Sequence, residues 1–537
     1  MRNRTSRTKP VQNRREFIQV AASGAAGALL LTSVPRTASA QVARRPIPPN
    51  ASRFVEPPVE HSRYGLLETT LKVNIPDNGN RIGQDRVFLR SYNGSLTGST
   101  LRVKAGDTIK VHLHNNLPTP TGSAHHAADM NIPHDFNVTN LHVHGVHVSP
   151  SGNSDNVLLT VQPGAYQQYE FNIPANHPAG TYWYHPHHHG ASALQLSSGM
   201  SGALIIEGDI DQVPEIKTAE EKIFLFNQIP YDQNGQVEYT PARAGATNPL
   251  EYFSFLGNFS KLGRFTTVNG QPRPIIYMRP GEVQRWRCIH AGVAEFMDMA
   301  LQGHKLHPIA LDGITTGTID AVDSVLLAPG NRADILVKAG APGEYELRKL
   351  AKTGSETLLE GMDEPMQVLA NIIVAGPPVD MHLPSAKDLL ALVPFKALKE
   401  TPDSVVQRMT YGSKTMADGT PATGTSIMNV NGKRFNGSVD RTLKLGRVDK
   451  WVLNAGFSKH PFHIHVNPFQ IVDIKNKETG RTKPGFKPYW CDTVVVRSDE
   501  EVTLLMHYED FTGTFVQHCH ILPHEDMGMM ELIEIVR

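Results

Sequence analysis

Gly513-Thr514-Phe515-Val516-Gln517-His518-Cys519-His520-Ile521-Leu522-Pro523-His524-Glu525-Asp526-Met527-Gly528-Met529 is the stretch around which this chain is organised. Phe515-Val516 and Ile521-Leu522 are strand-forming pairs flanking a His-Cys-His core, which reads as the end of a β-strand. Side chains alternate faces along a strand, so His518 and His520 point one way and Cys519 the other. One short segment can therefore serve two sites on opposite faces. A thiolate, two imidazoles and a long thioether contact form a blue-copper ligand set. Cys519, His524 and Met529 supply three of those four groups, and the missing imidazole must come from elsewhere. A lone His-Cys-His also fits a buried strand with one inert thiol.

Three further segments with paired histidines weigh against that plain reading. Asn140-Leu141-His142-Val143-His144-Gly145 carries two histidines at i and i+2, which share a face of a strand. Gly145 lets a neighbouring backbone come close or the strand bend, and His147 faces away as a polar surface histidine. Thr181-Tyr182-Trp183-Tyr184-His185-Pro186-His187-His188-His189 allows two pairings. The strand runs straight into His185, so His185 with His187 is preferred over His187 with His189. His460-Pro461-Phe462-His463-Ile464-His465 gives the last pair, His463 and His465. Pro461 is expected to break the strand, freeing His460 to join Cys519, His524 and Met529. Eight imidazoles remain, His142, His144, His185, His187, His463, His465, His518 and His520, enough for a cluster of three metals. Structural zinc wants a closed tetrahedron of four ligands, which eight histidines in one place do not suit.

The rest of the chain fits an exported all-β protein. Its 537 residues contain 52 Lys+Arg and 52 Asp+Glu, so no basic surplus points to nucleic acid or an anionic membrane. With 44 Gly, 38 Pro and no obvious long amphipathic helix, the chain reads as turn-rich β. Residues 1–40 read as an export signal: Arg14-Arg15-Glu16-Phe17-Ile18, an apolar run to Val34, and Ala38-Ser39-Ala40 as cleavage site. Twin arginines favour Tat over Sec export, and hence a periplasmic or otherwise extracytoplasmic mature protein with no stable membrane anchor. Cys288 and Cys491 could pair there, but they are read as separate buried thiols.

A repeat sets the domain plan. Asn93-Gly94, Asn269-Gly270 and Asn431-Gly432 each precede a short strand, a Gly-containing turn and an alternating strand. Three Greek-key sandwiches are expected, over 41–208, 217–376 and 385–537, after a Pro-rich leader at 41–60. Residues 401–426 read as a solvated loop or excursion. The middle domain has only His290, His304 and His307 and reads as a structural spacer, with the metal ligands between the first and third domains.

On these motifs the chain resembles a multicopper oxidase of the bacterial laccase-like type. His-x-His-Gly at His142, His-x-His at His185, His-Pro-x-His-x-His at His460 and His-Cys-His-x-x-x-His-x-x-x-x-Met at His518 occur in the family's order. The resemblance implies three cupredoxin domains and four coppers. His460, Cys519, His524 and axial Met529 would bind type 1 copper, and His142 with His463 the type 2 ion. His144, His185 and His520 would bind one type 3 ion, and His187, His465 and His518 the other. Electrons from a small reducing substrate, phenols and aromatic amines by resemblance, would enter near His524 and pass through Cys519 to His518 and His520. Dioxygen would be reduced to water, with Glu525 and Asp155 as candidate proton-relay acids. A periplasmic cuprous oxidase is the alternative, but such enzymes carry Met-rich segments, whereas here the 16 Met are scattered, with Met362, Met366, Met527, Met529 and Met530 the nearest to clusters and Met529 already used. The complete ligand set argues against a copper-free relative of cell division, and the three domains with the four-motif set argue against a copper nitrite reductase.

Overall fold

The three Asn-Gly turns fold alike. Asn93, Asn269 and Asn431 have φ of 53°, 52° and 52°, and the glycines after them 77°, 77° and 76°. In each turn the asparagine side chain hooks an earlier strand. Its Oδ1 accepts from the backbone N–H of Lys72, Leu225 or Thr410, each at 2.8 Å. Its Nδ2 donates to the carbonyl two residues before, on Thr70, Ile223 or Arg408. Asparagine tolerates the left-handed conformation and satisfies two backbone groups there, which is why one dipeptide recurs at one structural position.

The computed structural model describes residues 52–119, 129–237, 264–354 and 363–537. The export signal expected over 1–40 lies outside them. Six of the seven sheets among the described residues pair into three sandwiches, as an all-β cupredoxin plan requires. In the first, Val59–His61, Thr100–Lys104, Gly202–Glu207, Gly180–His185 and His142–His144 form one sheet. Ser91–Tyr92, Leu66–Asn74, Thr108–Asn115 and Tyr166–Asn172 form the other. Leu71 and Val111 from one sheet meet Leu101 and Leu204 from the other in a shared core. The second sandwich closes over Trp286, Phe224, Ile276 and Leu347, and the third over Trp451, Leu504, Phe515 and Ile533. The hooked strand runs parallel to the long alternating strand in all three: Leu66–Asn74 with Thr108–Asn115, Glu220–Gln228 with Val283–His290, and Val406–Tyr411 with Val448–Ala455. Residues after Ser52 lie against the second sandwich, with a bridge from Arg53 to Ile275, before joining the first through Val59–His61.

Two expectations change. Residues 401–426 are not all loop, because Val406–Tyr411 is an edge strand with Met409 and Tyr411 buried. Its Thr and Ser neighbours masked a six-residue alternation. Pro461 does not break its strand either: Lys459–Ile464 runs through it. The Pro461 carbonyl accepts from His520 N–H at 2.9 Å, so only the missing donor is lost. Parity alone then separates His460 from His463 and His465, as it separates Cys519 from His518 and His520.

Candidate metal centres

Strand Gly513–Cys519 is flanked by Lys459–Ile464, which sets His463 opposite His518 and Phe462 opposite Cys519. On the Cys519 face, Sγ lies 3.5 Å from His460 Nδ1 and 3.7 Å from His524 Nδ1, and those nitrogens are 3.3 Å apart. The centre of such a triangle is about 2.0 Å from each corner, a metal–nitrogen bond length. His460 Nε2 faces the Phe457 carbonyl at 3.1 Å, which turns Nδ1 toward the thiol. Cys519, His460 and Met529 are fully buried, whereas His524 is partly exposed. Met529 follows in a tight return, its N–H bonded to the His524 carbonyl and its own carbonyl to Cys519 N–H.

The other face carries all eight remaining histidines, each between 0 and 3% exposed. His142–His144 pairs with Gly180–His185, placing His142 opposite His185. His142 stacks on His465 and His144 on His463, both with ring centroids 3.8 Å apart. First- and third-domain pairs therefore interleave. Donor atoms of His187, His465 and His518 lie within 4.8 Å of one another, as do those of His142, His463 and His465. The rings of His144, His185 and His520 are separated by 4.9 to 5.7 Å. His185 and His187 are thus the pair in the cluster. His189 turns away against Phe435 and Asn131. His147 also stands outside, tied to the Val466 carbonyl and Asp510.

Four of these imidazoles, His142, His144, His185 and His463, have one nitrogen held and one without a partner. His142 Nδ1 is 2.9 Å from Asp155, His185 Nδ1 meets the Pro186 carbonyl, and His463 Nδ1 meets the Asp492 carbonyl. Their Nε2 atoms are buried without a hydrogen-bond partner, as are His144 Nδ1 and both nitrogens of His465 and His520. Buried polar atoms are almost always paired, so this concentration of bare nitrogens fits a metal-binding cavity. Glu525, fully buried, faces His518 Nδ1 at 3.1 Å and His187 Nδ1 at 3.5 Å, with Ser192 Oγ at 3.0 Å. Asp526 beside it accepts from Gly190 and Ala193 N–H. Burial pushes Asp155 up to about 8, against one stabilising N–H from Val143.

Desolvation also lowers His185 to about 3 and His187 and His460 to about 4, so these three are neutral at pH 7. Unfolded histidine titrates near 6.5. The folded pKa values are depressed, so the stability they contribute is present above about 6.5 and lost as pH falls. The thermal midpoint of the copper-free protein is therefore expected to fall steadily between pH 7 and 4, at up to about 1.4 kcal/mol per pH unit for each such histidine. A midpoint that stays flat across that range would contradict the burial of neutral imidazoles.

Sequence reasoning missed the groups behind the cluster. Asp492 is 3.3 Å from His144 Nε2, and Thr493 Oγ1 is 3.1 Å from His463 Nδ1. Arg332, from the second sandwich, clamps Asp492. A Cβ on Gly330 would press on His144 and His520 at 3.0–3.1 Å. The middle domain is therefore not a mere spacer, since it closes one side of the cluster. The readable signal was Asp492 itself, a carboxylate opening the apolar strand Thr493–Arg497. Gly145 makes the bend expected of it, with φ of 81° directly after the strand His142–His144, but the close neighbours are side chains. Its missing Cβ makes room for the Arg332 and Asp492 side chains rather than for a backbone.

Comparison with known proteins points to one family. Family models described as multicopper oxidase match residues 78–210, 231–366 and 400–535. A laccase of Bacillus subtilis (strain 168) is 26% identical over 480 residues, covering 83% of this chain and 90% of its own. The cell division protein FtsP of Dickeya dadantii (strain 3937) is 26% identical over 526 residues, covering 96% and 97%. The solved multicopper oxidase from Campylobacter jejuni, described as a metallo-oxidase, superposes with a TM-score of 0.71 at 24% identity, over 91% of this chain and 96% of its own. The chain is a member of the multicopper oxidase family and a copper-dependent oxidoreductase with oxygen as acceptor.

Proposed function

We propose that this chain holds four coppers and oxidises small phenolic or aromatic reductants. One copper would sit at His460, Cys519, His524 and Met529 and three within the eight-histidine cluster. The carrying observation is that one strand end, His518-Cys519-His520, belongs to both sites at once. Bound copper supplies one-electron chemistry at the first site and reduction of dioxygen at the second. The protein does the rest. His524, partly exposed beside three buried partners, is where a reductant comes nearest. Cys519 is covalently continuous with His518 and His520, so the two centres communicate through the main chain. The interior position of the eight histidines keeps bulk water from the oxygen site.

Glu525 touches two cluster histidines and is the group best placed to hand over protons there. The substitution Glu525→Gln is expected to slow oxygen reduction by about 10²-fold or more while leaving the blue band intact. Unchanged turnover would remove Glu525 from the proton path. Asp155 serves His142, with His465 at 3.9 Å, as the second acid.

Phenolic reductants are favoured over Cu(I) because Met527 and Met530 are buried and cannot line an open soft-metal site. Twin Arg14-Arg15 supports Tat export and an extracytoplasmic location. No helix among the described residues is long and apolar enough to cross a membrane. The test is an absorption and EPR spectrum of the copper-loaded mature protein, with oxygen uptake on a phenol and on Cu(I). An intense blue band, type 1 and type 2 signals and uptake without peroxide on phenols are expected. Cu(I) as the better substrate would instead favour cuprous oxidation. A colourless protein that takes up no copper would leave a scaffold like the cell division relative.

A further inference from the structure

Arg332 is fully buried, and its guanidinium is ringed by acceptors from all three sandwiches. Nη1 and Nη2 grip Asp492 Oδ1 and Oδ2 at 2.8 and 2.6 Å in a two-pronged fork. Nη2 also donates to the Asp312 carbonyl at 2.9 Å, Nη1 to the Gly330 carbonyl at 3.2 Å, and Nε to the Thr181 carbonyl at 3.2 Å. The Asp312 carboxylate accepts from the backbone N–H groups of Arg332, Asp492 and Thr493, tying the second sandwich to the third. Asp492 Oδ1 in turn faces His144 Nε2 and accepts from Thr493 Oγ1 at 2.8 Å. An acceptor at Nε2 requires the proton there, so the lone pair of His144 is left on Nδ1. That nitrogen is buried without a partner, whereas His142, His185 and His463 leave Nε2 bare. His144 alone of these four is turned round, and Asp492 is the group that turns it.

We propose that Arg332 is a positioning residue of the oxygen-reducing site, holding Asp492 in the plane that fixes the tautomer of His144 and, through the Asp492 carbonyl and Thr493, the orientation of His463. The proposal rests on the reading that the eight histidines hold copper. It gives the middle domain, which carries no copper ligand, a part in the metal centre. Outer carboxylates of this kind set metal affinity through the ligand they orient. Arginine suits the task because its planar fork fixes a carboxylate's plane, which a lysine ammonium cannot do.

The experiment compares wild type with Arg332→Lys and Asp492→Asn, both as copper-loaded mature protein. Copper per chain is followed by metal analysis during competition with a chelator. The EPR spectrum, the blue band and the thermal midpoint of the copper-free form are recorded alongside. Both variants are expected to release cluster copper at about 10- to 100-fold lower chelator concentration. Their type 2 hyperfine splitting should change, while the blue band at Cys519 keeps its wild-type intensity per chain. A lower midpoint with wild-type copper retention and an unaltered type 2 signal would overturn the proposal, since it would show a purely structural ion pair. Parallel loss of the blue band and cluster copper would overturn it too, as general unfolding. The two variants guard against one failing to fold, because Asp492→Asn keeps the side-chain shape. If wild type itself binds no copper beyond the Cys519 site, the underlying reading fails and the proposal falls with it.

Discussion

The Cys519→Ser substitution is expected to abolish the blue colour and bring oxygen uptake to background, while the protein still folds and keeps copper at the histidine cluster. Serine nearly matches cysteine in shape, and position 519 is fully enclosed among Phe462, Phe515 and Met529. The folding cost is that of one buried hydroxyl, about 1–3 kcal/mol if it finds no partner. The chemical loss is larger. A thiolate is a soft, polarisable ligand suited to Cu(I), whereas a neutral hydroxyl is neither soft nor charged. His460 and His524 remain, 3.3 Å apart, but two imidazoles alone hold copper without the sulfur orbital that links them to the main chain. Metal analysis should therefore find the cluster copper retained and the type 2 EPR signal intact. A Cys519→Ser protein that stays blue would place the type 1 site elsewhere.

Gly145→Ala is expected to be more damaging to the fold than any substitution in the proposed copper ligands. Its φ is +81°, and a Cβ would overlap both the Arg332 guanidinium and the Asp492 carboxylate. Neither can retreat, because both are held from several sides and buried. Parting a buried pair of this kind costs about 3–5 kcal/mol, to which backbone strain adds. Gly164 supplies the control. It has the same φ of +81°, and a Cβ there would meet nothing within 4 Å, so Gly164→Ala should cost only the strain, about 1–2 kcal/mol. Thermal midpoints of the two variants separate the terms. Equal shifts would mean that the Arg332–Asp492 pair yields easily, and would weaken its role as a clamp.

What could be read from the sequence was local and periodic. Alternation along a strand placed Cys519 and His518 on opposite faces, whereas the parity that separates His460 from His463 was hidden by Pro461, which reads as a strand breaker and is not one here. The Asn-Gly dipeptide announced three similar units, because its left-handed turn and two side-chain bonds demand that residue. The choice of His185 over His189 followed from the strand that ends at His185. What could not be read was long-range. Asp492 and Arg332 are 160 residues apart, and each looks ordinary in its own segment. Val406–Tyr411 was hidden for another reason. Its polar neighbours suggested solvent, but an edge strand has one face and one rim that tolerate such residues.

The interleaved stacking of His142 on His465 and His144 on His463 also governs when the site can come into being. The partners are separated by more than 300 residues of chain, and the clamp that braces them comes from the middle of the sequence. During synthesis the first unit emerges with four of its histidines bare, and the other four are complete only once His520 has been added. A metal ion meeting that nascent unit finds two pairs of imidazoles, a weak and unselective trap. The finished pocket exists only after strand Gly513–Cys519 has paired with Lys459–Ile464 and brought His518 and His520 to the cluster. Assembly of the centre is therefore a late event, and a chain that stops before Gly513 would lack His518, Cys519 and His520 and with them both centres.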